Sequence, residues 1–366
     1  MGDQSQGAPF SEAEAVGYLL SRRSIDTADI VTGGLLITQH VRRNRSIAVS
    51  ASSGRGFFLK QSDPMQAVQT LYREVEMYAA FVASGSRFAD EHLPKFHWFD
   101  ADRAILALEY LENVETFGAC IEYNDDMAVA CATTLGQALA RLHRGGAGRG
   151  RLIDAPKPWT AVLVTPGPEV FLQYSQAAID VIKIIQSSPS LAARLGNLEC
   201  PPAEATLIHG DIRWDNILVR SEAEGRVPER LYIVDWEIAG AGDPARDIGG
   251  VFSEYLGAWI RSIPVSPETQ PRDALGLAPR GLEVFQHGIT QFWNVYCDCS
   301  PTGTDRSALL IRAVEVCGSR LVQSAFELAQ SSARLSGSAV FMLQVAENVL
   351  CDPGRACRDL LSVPCR

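Results

Sequence analysis

Lysine is scarce in this sequence. Lys60, Lys95, Lys157 and Lys183 are the four, against 29 arginines. Where Arg is the default cation, a Lys in a special place is expected to be there for its chemistry. No apolar run approaches the roughly 20 residues that a membrane helix needs. The opening "MGDQSQGAPF" lacks the basic and greasy regions of a secretion signal. Gln6 stands where a myristoylation signal places Ser or Thr. Cysteines at metal spacing are missing too: nine are scattered, with only Cys297 and Cys299 close together. That pattern suits neither a disulfide framework nor a zinc site and predicts reduced thiols in the cytoplasm. There is no long basic run, and the net charge of −10 argues against a nucleic-acid partner. Internal repeats and low-complexity segments are absent.

The 366 residues, 46% of them hydrophobic and 21% charged, suit a soluble protein of two lobes with a sizeable core. "SEAEAVGYLLSRR" opens with Ser11 and Glu14 in the spacing of a capping box before an amphipathic helix. The strand-like runs "LLITQHV", "SIAVSA" and "GFFLKQ" follow, separated by the turn-like "RRNR" and "SSGRG". Helical spacing resumes in "PMQAVQTLYREVEMYAAFVA", and then "KFHWFD" and "AILALEYL" read as another strand pair. From about Asn113 the pattern turns helical, with "DDMAVACATTLGQALARLHRGG" and "EVFLQYSQAAIDVIKIIQ" each read as one helix. "ATLIHG" and "LYIVDW" read as a two-strand ribbon, and helices with Pro/Gly-rich loops fill the rest. The expectation is α+β: a small antiparallel-sheet lobe, residues 1–112, joined near Tyr110 to Asn113 to a larger mostly helical lobe, residues 113–366.

The stretch "LIHGDIRWDNILV" places polar groups inside what otherwise reads as buried strand. Buried charge is costly unless paired or bound to a metal. Asp211 follows an apolar run, Asn216 comes five residues later, and Asp235 ends "LYIVD". Phosphoryl transfer to a hydroxyl needs such a set: one carboxylate to orient the acceptor and take its proton, and an amide oxygen with a second carboxylate to hold Mg²⁺. In the first lobe, "GFFLK" delivers Lys60 from a strand as the only Lys in a region with eight Arg. A compact ammonium suits phosphate oxygens. "LYREVEMYAAF" offers Glu74 as its helical partner. The plainer reading of Lys60, a strand-end cation snorkelling to water, weakens beside the downstream acids.

The motifs "HGDIRWDN", "IVDWEIAGAGDPARDIG", "FFLKQ…YREVEMY" and "LALEYLENV" fall in order over nearly the whole chain. Through them the sequence resembles the aminoglycoside phosphotransferase and choline kinase-like enzymes, with their protein-kinase-like two-lobe fold. The resemblance implies Asp211 as catalytic base, Asn216 and Asp235 as Mg²⁺ ligands, and Lys60 with Glu74 on the ATP phosphates. It also implies that backbone around Glu109 and Leu111 receives adenine. His209, Trp214 and Trp236 are read as packing, and Asp243 and Asp247 as bonding loop backbone or capping the helix that follows. Arg213 either touches the transferred group or pairs with an acid. Glu237 either reaches a second metal through water or is solvated. The glycine-rich loop G-x-G-x-x-G is missing. The turn "RRNRS" stands in its place, with Asn44 or Ser46 as candidate phosphate contacts and Arg42, Arg43 and Arg45 read as solvated.

The acceptor is less sharply drawn. From residue 248 onward eleven acids meet ten Arg, nearly neutral, whereas a polycationic aminoglycoside calls for acids. Acids do gather in "LENVETFGACIEYNDDM". "RRNRSIAV" and "GDPARDIGGVFSEYLGAWIRSIPV" are similar to phosphotransferases of class V lanthipeptide and thioamitide pathways. That similarity implies phosphorylation of Ser or Thr in a precursor peptide, ahead of elimination by a partner lyase. The Pro-rich segment 263–280 would flank such an extended ligand. An aminoglycoside or other small-alcohol acceptor is the alternative, and a catalytically silent kinase-like scaffold is the reading of another class.

Overall fold

The computed structural model describes residues 10–31, 34–41, 45–51, 54–61, 68–123, 125–145, 153–168, 170–198, 205–221, 228–265, 275–301, 304–330 and 332–364. Residues 42–44, with Asn44, and half of the Pro-rich segment 263–280, residues 266–274, lie outside the described residues. In chain order come α1 (Glu12–Ser21), α2 (Thr27–Val31), β1 (Leu35–Val41), β2 (Arg45–Ala51) and β3 (Gly56–Gln61). They are followed by α3 (Val68–Ser84), α4 (Arg87–His92), β4 (Phe96–Asp100), β5 (Ile105–Glu109) and β6 (Val114–Thr116). Then come α5 (Phe117–Tyr123), α6 (Asp125–His143), α7 (Val170–Gln173), α8 (Gln176–Ser187), α9 (Pro189–Gly196) and β7 (Thr206–Ile208). β8 (Ile217–Ser221), β9 (Pro228–Ile233), β10 (Gly240–Gly242) and α10 (Ala245–Ser262) lead to α11 (Leu282–Cys299), α12 (Arg306–Gln330), α13 (Gly337–Cys351) and α14 (Pro353–Asp359). Among the described residues no helix is long and apolar enough to cross a membrane.

By internal contacts the chain forms two compact units. One holds Met1–Thr116, Gly146–Gly150 and Asn216–Ala239; the other holds Phe117–Gly145, Arg151–Asp215 and Gly240–Arg366. In the first unit β1 to β5 form an antiparallel sheet in the order β1-β2-β3-β5-β4. The capping box predicted for α1 is present: the Glu14 amide donates to the Ser11 hydroxyl, and the Ser11 amide donates to the Glu14 carboxylate at 2.7 Å. On the sheet, Ile47, Val49, Phe57, Leu59, Ile105 and Ala107 pack with Ala15, Tyr18 and Leu19 of α1. All six strand positions are odd-numbered. Because side chains alternate along a strand, Lys60 is turned to the opposite face from its neighbour Leu59. A register slip of one residue would drive its ammonium into this apolar core. A second sheet, β6-β8-β9, is built from segments a hundred residues apart in sequence.

The second unit is mostly helical. α10 packs along α12, α12 along α13, and α6 along α11. The glycine pair at the head of α10 decides how closely its neighbours come. A Cβ on Gly249 would lie 2.5 Å from the Ala313 carbonyl oxygen of α12, and one on Gly250 would lie 2.9 Å from the Ile212 carbonyl oxygen. Without side chains there, α10 touches backbone on both sides.

Two sequence expectations need correction. "EVFLQYSQAAIDVIKIIQ" is not one helix but α7 and α8. Ser175 separates them, its hydroxyl accepting the Ala178 amide at 3.1 Å as the N-cap of α8; a good cap competes with helical continuation. "ATLIHG" and "LYIVDW" do not form a ribbon with each other. β7 pairs with β10, whereas β9 pairs with β8. The run Ile217–Ser221, buried at Ile217 and Val219, is the strand that takes β9's hydrogen bonds.

Candidate active site

Within the first unit, β3 carries Lys60 to a buried position where its Nζ donates to both Glu74 carboxylate oxygens, at 2.8 and 2.9 Å, and to Asp235 Oδ1 at 2.8 Å. Glu74 comes from α3 and is fully buried; Lys60 is 7% exposed. Such burial is tolerated only because each charge is paired and hydrogen-bonded. Burial works against the Lys60 ammonium, and the Glu74 and Asp235 charges overcome it, so its pKa is raised. Burial likewise pushes the Glu74 carboxyl up, against the pull of Lys60. One ammonium set against two carboxylates leaves these three groups one negative charge in excess.

Asp235 follows β9 with a φ of +70°. This left-handed geometry is uncommon outside glycine, though Asp and Asn tolerate it best. Asn216 immediately precedes β8, is 4% exposed, and accepts the Val234 amide at its carbonyl oxygen at 2.9 Å. Ile217 is the register partner of Ile233, so Asn216 and Asp235 lie at the same end of the β8–β9 pair. An amide oxygen and a carboxylate beside excess negative charge are the donors that fit Mg²⁺, which takes few protein ligands and keeps oxygens from water and phosphate. Ser46 is the register partner of Lys60 and is buried. Glu109 ends β5, its amide donating to the Lys95 carbonyl at 2.9 Å, and Leu111 lies buried just beyond. Trp236 is fully buried against the edges of Phe81 and Phe88, as packing predicts.

Within the second unit, β7 leads into His209-Gly210-Asp211. Gly210 has a φ of +82°, a conformation glycine takes without strain. The loop is fastened by Asp247, in the first turn of α10. Its fully buried carboxylate accepts the His209 amide at 2.8 Å, the Gly210 amide at 2.7 Å and His143 Nε2–H at 3.0 Å. His143 Nδ1 in turn lies 2.8 Å from the Tyr296 hydroxyl. Of the two roles foreseen for Asp247, the loop bonds are the ones made. Asp243 takes the Ala245 amide and the Arg312 guanidinium at 2.9 and 2.7 Å. The Asp211 amide donates to His209 Nδ1 at 3.3 Å, so the buried His209 supports the turn. Trp214 is stacked on Phe117 with ring centroids 4.4 Å apart.

The Asp211 carboxylate is not isolated. Arg320 of α12 donates from Nη2 to Asp211 Oδ1 at 2.7 Å and to the Ile212 carbonyl at 3.3 Å. Arg213 pairs with an acid, Glu327 of the same helix, at 2.7 and 3.2 Å. Gln323 accepts from Arg320 at 3.0 Å and donates to Glu327 at 2.9 Å, closing a ring from Asp211 through α12 to Arg213. Burial works to raise the Asp211 carboxyl, but the Arg320 and Arg213 charges outweigh it, and the group lies below the usual carboxylate range. Sequence reasoning missed Arg320, Glu327, His143 and Tyr296. The only signal in α12 is the polar spacing Arg320, Gln323, Glu327, which any solvated helix face also shows.

Asp247→Ala is expected to destabilise the protein by about 3 kcal/mol or more, because buried donors lose their acceptor. Urea unfolding measures it. Burial alone would raise the Asp247 carboxyl; the hydrogen bond and charge of His143, with His209, lower it below its ordinary value. The unfolded chain therefore binds that proton more tightly. Its stabilisation is present above about pH 4 and is lost as pH falls further. The parent's stability should fall through that range more steeply than the variant's, and parallel curves would refute the assignment.

The model of a family described as the phosphotransferase enzyme family, APH, matches residues 39–275. Among solved structures, a choline/ethanolamine kinase family protein from Mesorhizobium loti is similar with a TM-score of 0.54 at 14% identity, over 93% of this chain and 95% of that one. An ethanolamine kinase from Plasmodium vivax gives 0.53 at 13% identity, over 95% and 91%. An amicoumacin kinase in complex with AMP-PNP, Ca²⁺ and Ami gives 0.53 at 13% identity, over 91% and 95%. No curated protein matches the sequence. The fold is thus kinase-like, with an antiparallel-sheet N-terminal part and a mostly helical remainder.

Proposed function

This chain belongs to the phosphotransferase enzyme family, whose reaction uses an alcohol group as acceptor, and from that premise we propose that it moves the γ-phosphoryl group of ATP, with Mg²⁺, to a hydroxyl. Residues 1–112 together with Asn216 and Asp235 serve the nucleotide. Lys60, held by Glu74, meets its phosphates, and backbone at Glu109 and Leu111 receives adenine. Asn216 and Asp235 would hold Mg²⁺, which offsets phosphate charge. Asp211 orients the acceptor hydroxyl and takes its proton as the new O–P bond forms and the bond from γ-phosphorus to the bridging oxygen breaks. The products are a phosphate ester and ADP. The observation that carries this reading is the Lys60–Glu74–Asp235 cluster. A silent scaffold has no need of an ammonium clamped by two carboxylates beside a buried Asn.

For the acceptor, we propose a Ser or Thr hydroxyl of a natural-product precursor peptide, whose phosphate a partner lyase would then eliminate. The ring around Asp211 supports a neutral acceptor. Its two carboxylates are matched by two guanidinium groups, and an ammonium arriving at Asp211 would meet Arg320. The purified protein, Mg²⁺ and ATP should be offered a Ser-containing precursor peptide, ethanolamine and an aminoglycoside, with products weighed by mass spectrometry. A phosphoryl adduct on the peptide, converted to a water loss by a lyase, is expected. Rapid phosphorylation of the aminoglycoside or ethanolamine, with none of the peptide, would overturn the acceptor assignment. ADP formation from none of them, with tight nucleotide binding, would favour the scaffold.

A further inference from the structure

We propose that Arg320 is a positioning residue for the phosphotransfer, holding the Asp211 carboxylate in the orientation in which it meets the acceptor hydroxyl; this rests on the reading of Asp211 as the base. Arg320 makes two bonds to the loop, one to the Asp211 carboxylate and one to the Ile212 carbonyl next to it. Both bonds come from Nη2, while Nη1 of the same rigid planar group donates to Gln323, so the plane that holds the Asp211 carboxylate is anchored at its other prong to α12. Arg320 is itself fixed, by Gln323 one turn along the helix. Glu327, about 10 Å and two turns beyond Arg320, receives Arg213 from the same loop. The loop is thus pinned at residues 211 and 213 to two points of one helix, and α10's bare Gly249 lets that helix come close.

Two features set this apart from packing. Asp247 already fastens the loop backbone at His209 and Gly210 from below. Arg320 acts instead on the side chain that does the chemistry. α12 also lies wholly beyond the residues that the family model matches, 39–275. Asp211 lies within that match and Arg320 beyond it.

Among the described residues, the charged and titratable groups that act on Asp211 include Arg320 from α12, Arg213 and His209 from its own loop, and Arg246 from α10. Removing Arg320 takes away the largest opposing charge and leaves burial to raise the carboxyl. Rates of ADP release from Mg-ATP, with the acceptor found above or with water, should be measured across pH for the parent, Arg320→Ala, Arg320→Lys and Asp211→Asn. Arg320→Ala is expected to lower kcat by about 10-fold or more while KM for Mg-ATP stays unchanged, a misplacement effect. Its acidic limb should move to higher pH, since an Arg neighbour holds an Asp carboxyl down. Arg320→Lys should restore the limb more than the rate, since it returns charge without the fork. Joined to Asp211→Asn, Arg320→Ala should add no further loss. If Arg320→Ala fails to fold, Arg320→Gln carries the same test. A parental pH profile in Arg320→Ala, or a loss that adds in full to that of Asp211→Asn, overturns the proposal. Parental turnover in Asp211→Asn would instead overturn the base assignment on which it rests.

Discussion

Asp235→Ala should abolish Mg²⁺-dependent nucleotide binding and turnover. The carboxylate is asked to do two things at once: its Oδ1 takes Lys60 Nζ at 2.8 Å, and in the proposed reaction it holds the metal with Asn216. A metal at a phosphoryl group stabilises the transition state by several kcal/mol. At about 1.4 kcal/mol per decade, its loss corresponds to 10³-fold or more in rate. The fold should survive, because Lys60 keeps both Glu74 oxygens. A complication is the φ of +70° at this position, which disfavours Ala by about 1 kcal/mol or more. Asp235→Asn removes the charge while keeping a side chain that tolerates the left-handed region, and it should fail nearly as badly. Asn216→Ala, which deletes a neutral donor, should weaken metal use more mildly. Calorimetric titration with Mg-AMP-PNP decides the matter. Binding by Asp235→Ala as tight as the parent's would remove the residue from the metal site.

The elements that carry local signals were readable before any fold was known. Ser11 and Glu14 announce α1 through a cap that closes within four residues. Lys60 is legible because alternation in "GFFLK" puts a rare Lys on the face opposite Leu59, and a buried ammonium demands a partner. Gly210-Asp211 and Asp235 are legible because acids between apolar runs need a reason to be there. What could not be read depends on partners far along the chain. Nothing in "LYIVDW" says that β9 pairs with the "ILVRS" strand rather than with "ATLIHG"; strand pairing is a tertiary choice. Nothing marks Arg320 among 29 arginines, because its significance is a bond to a residue 109 positions away. Asp247 lies between these cases. An Asp at the head of a helix is an ordinary cap by sequence, and only the returning loop turns it into the acceptor of two backbone amides.

Asp211→Asn should lower kcat by about 10²-fold or more, the combined scale of general-base and positioning effects. Affinity for Mg-ATP should hardly change, because the residue is assigned to the acceptor and not to the nucleotide. The substitution is nearly isosteric and leaves an oxygen able to accept from Arg320, so the ring through Gln323 and Glu327 should remain closed and the variant should fold, its thermal unfolding lowered only by the lost charge pairing with Arg320 and Arg213. That makes the variant a test of charge and proton acceptance rather than of loop structure. The pH dependence supplies the second half of the argument. In the parent, Asp211 must be ionised to act, and Arg320 and Arg213 hold its carboxyl below the usual range against burial. Activity should therefore persist down to acidic pH and fall only as that depressed value is approached. The residual rate of Asp211→Asn should show no such acidic limb, since its amide does not titrate. Steady-state rates across pH read both effects. Turnover near the parent's, or a residual rate with the parent's acidic limb intact, would place the base elsewhere in the molecule.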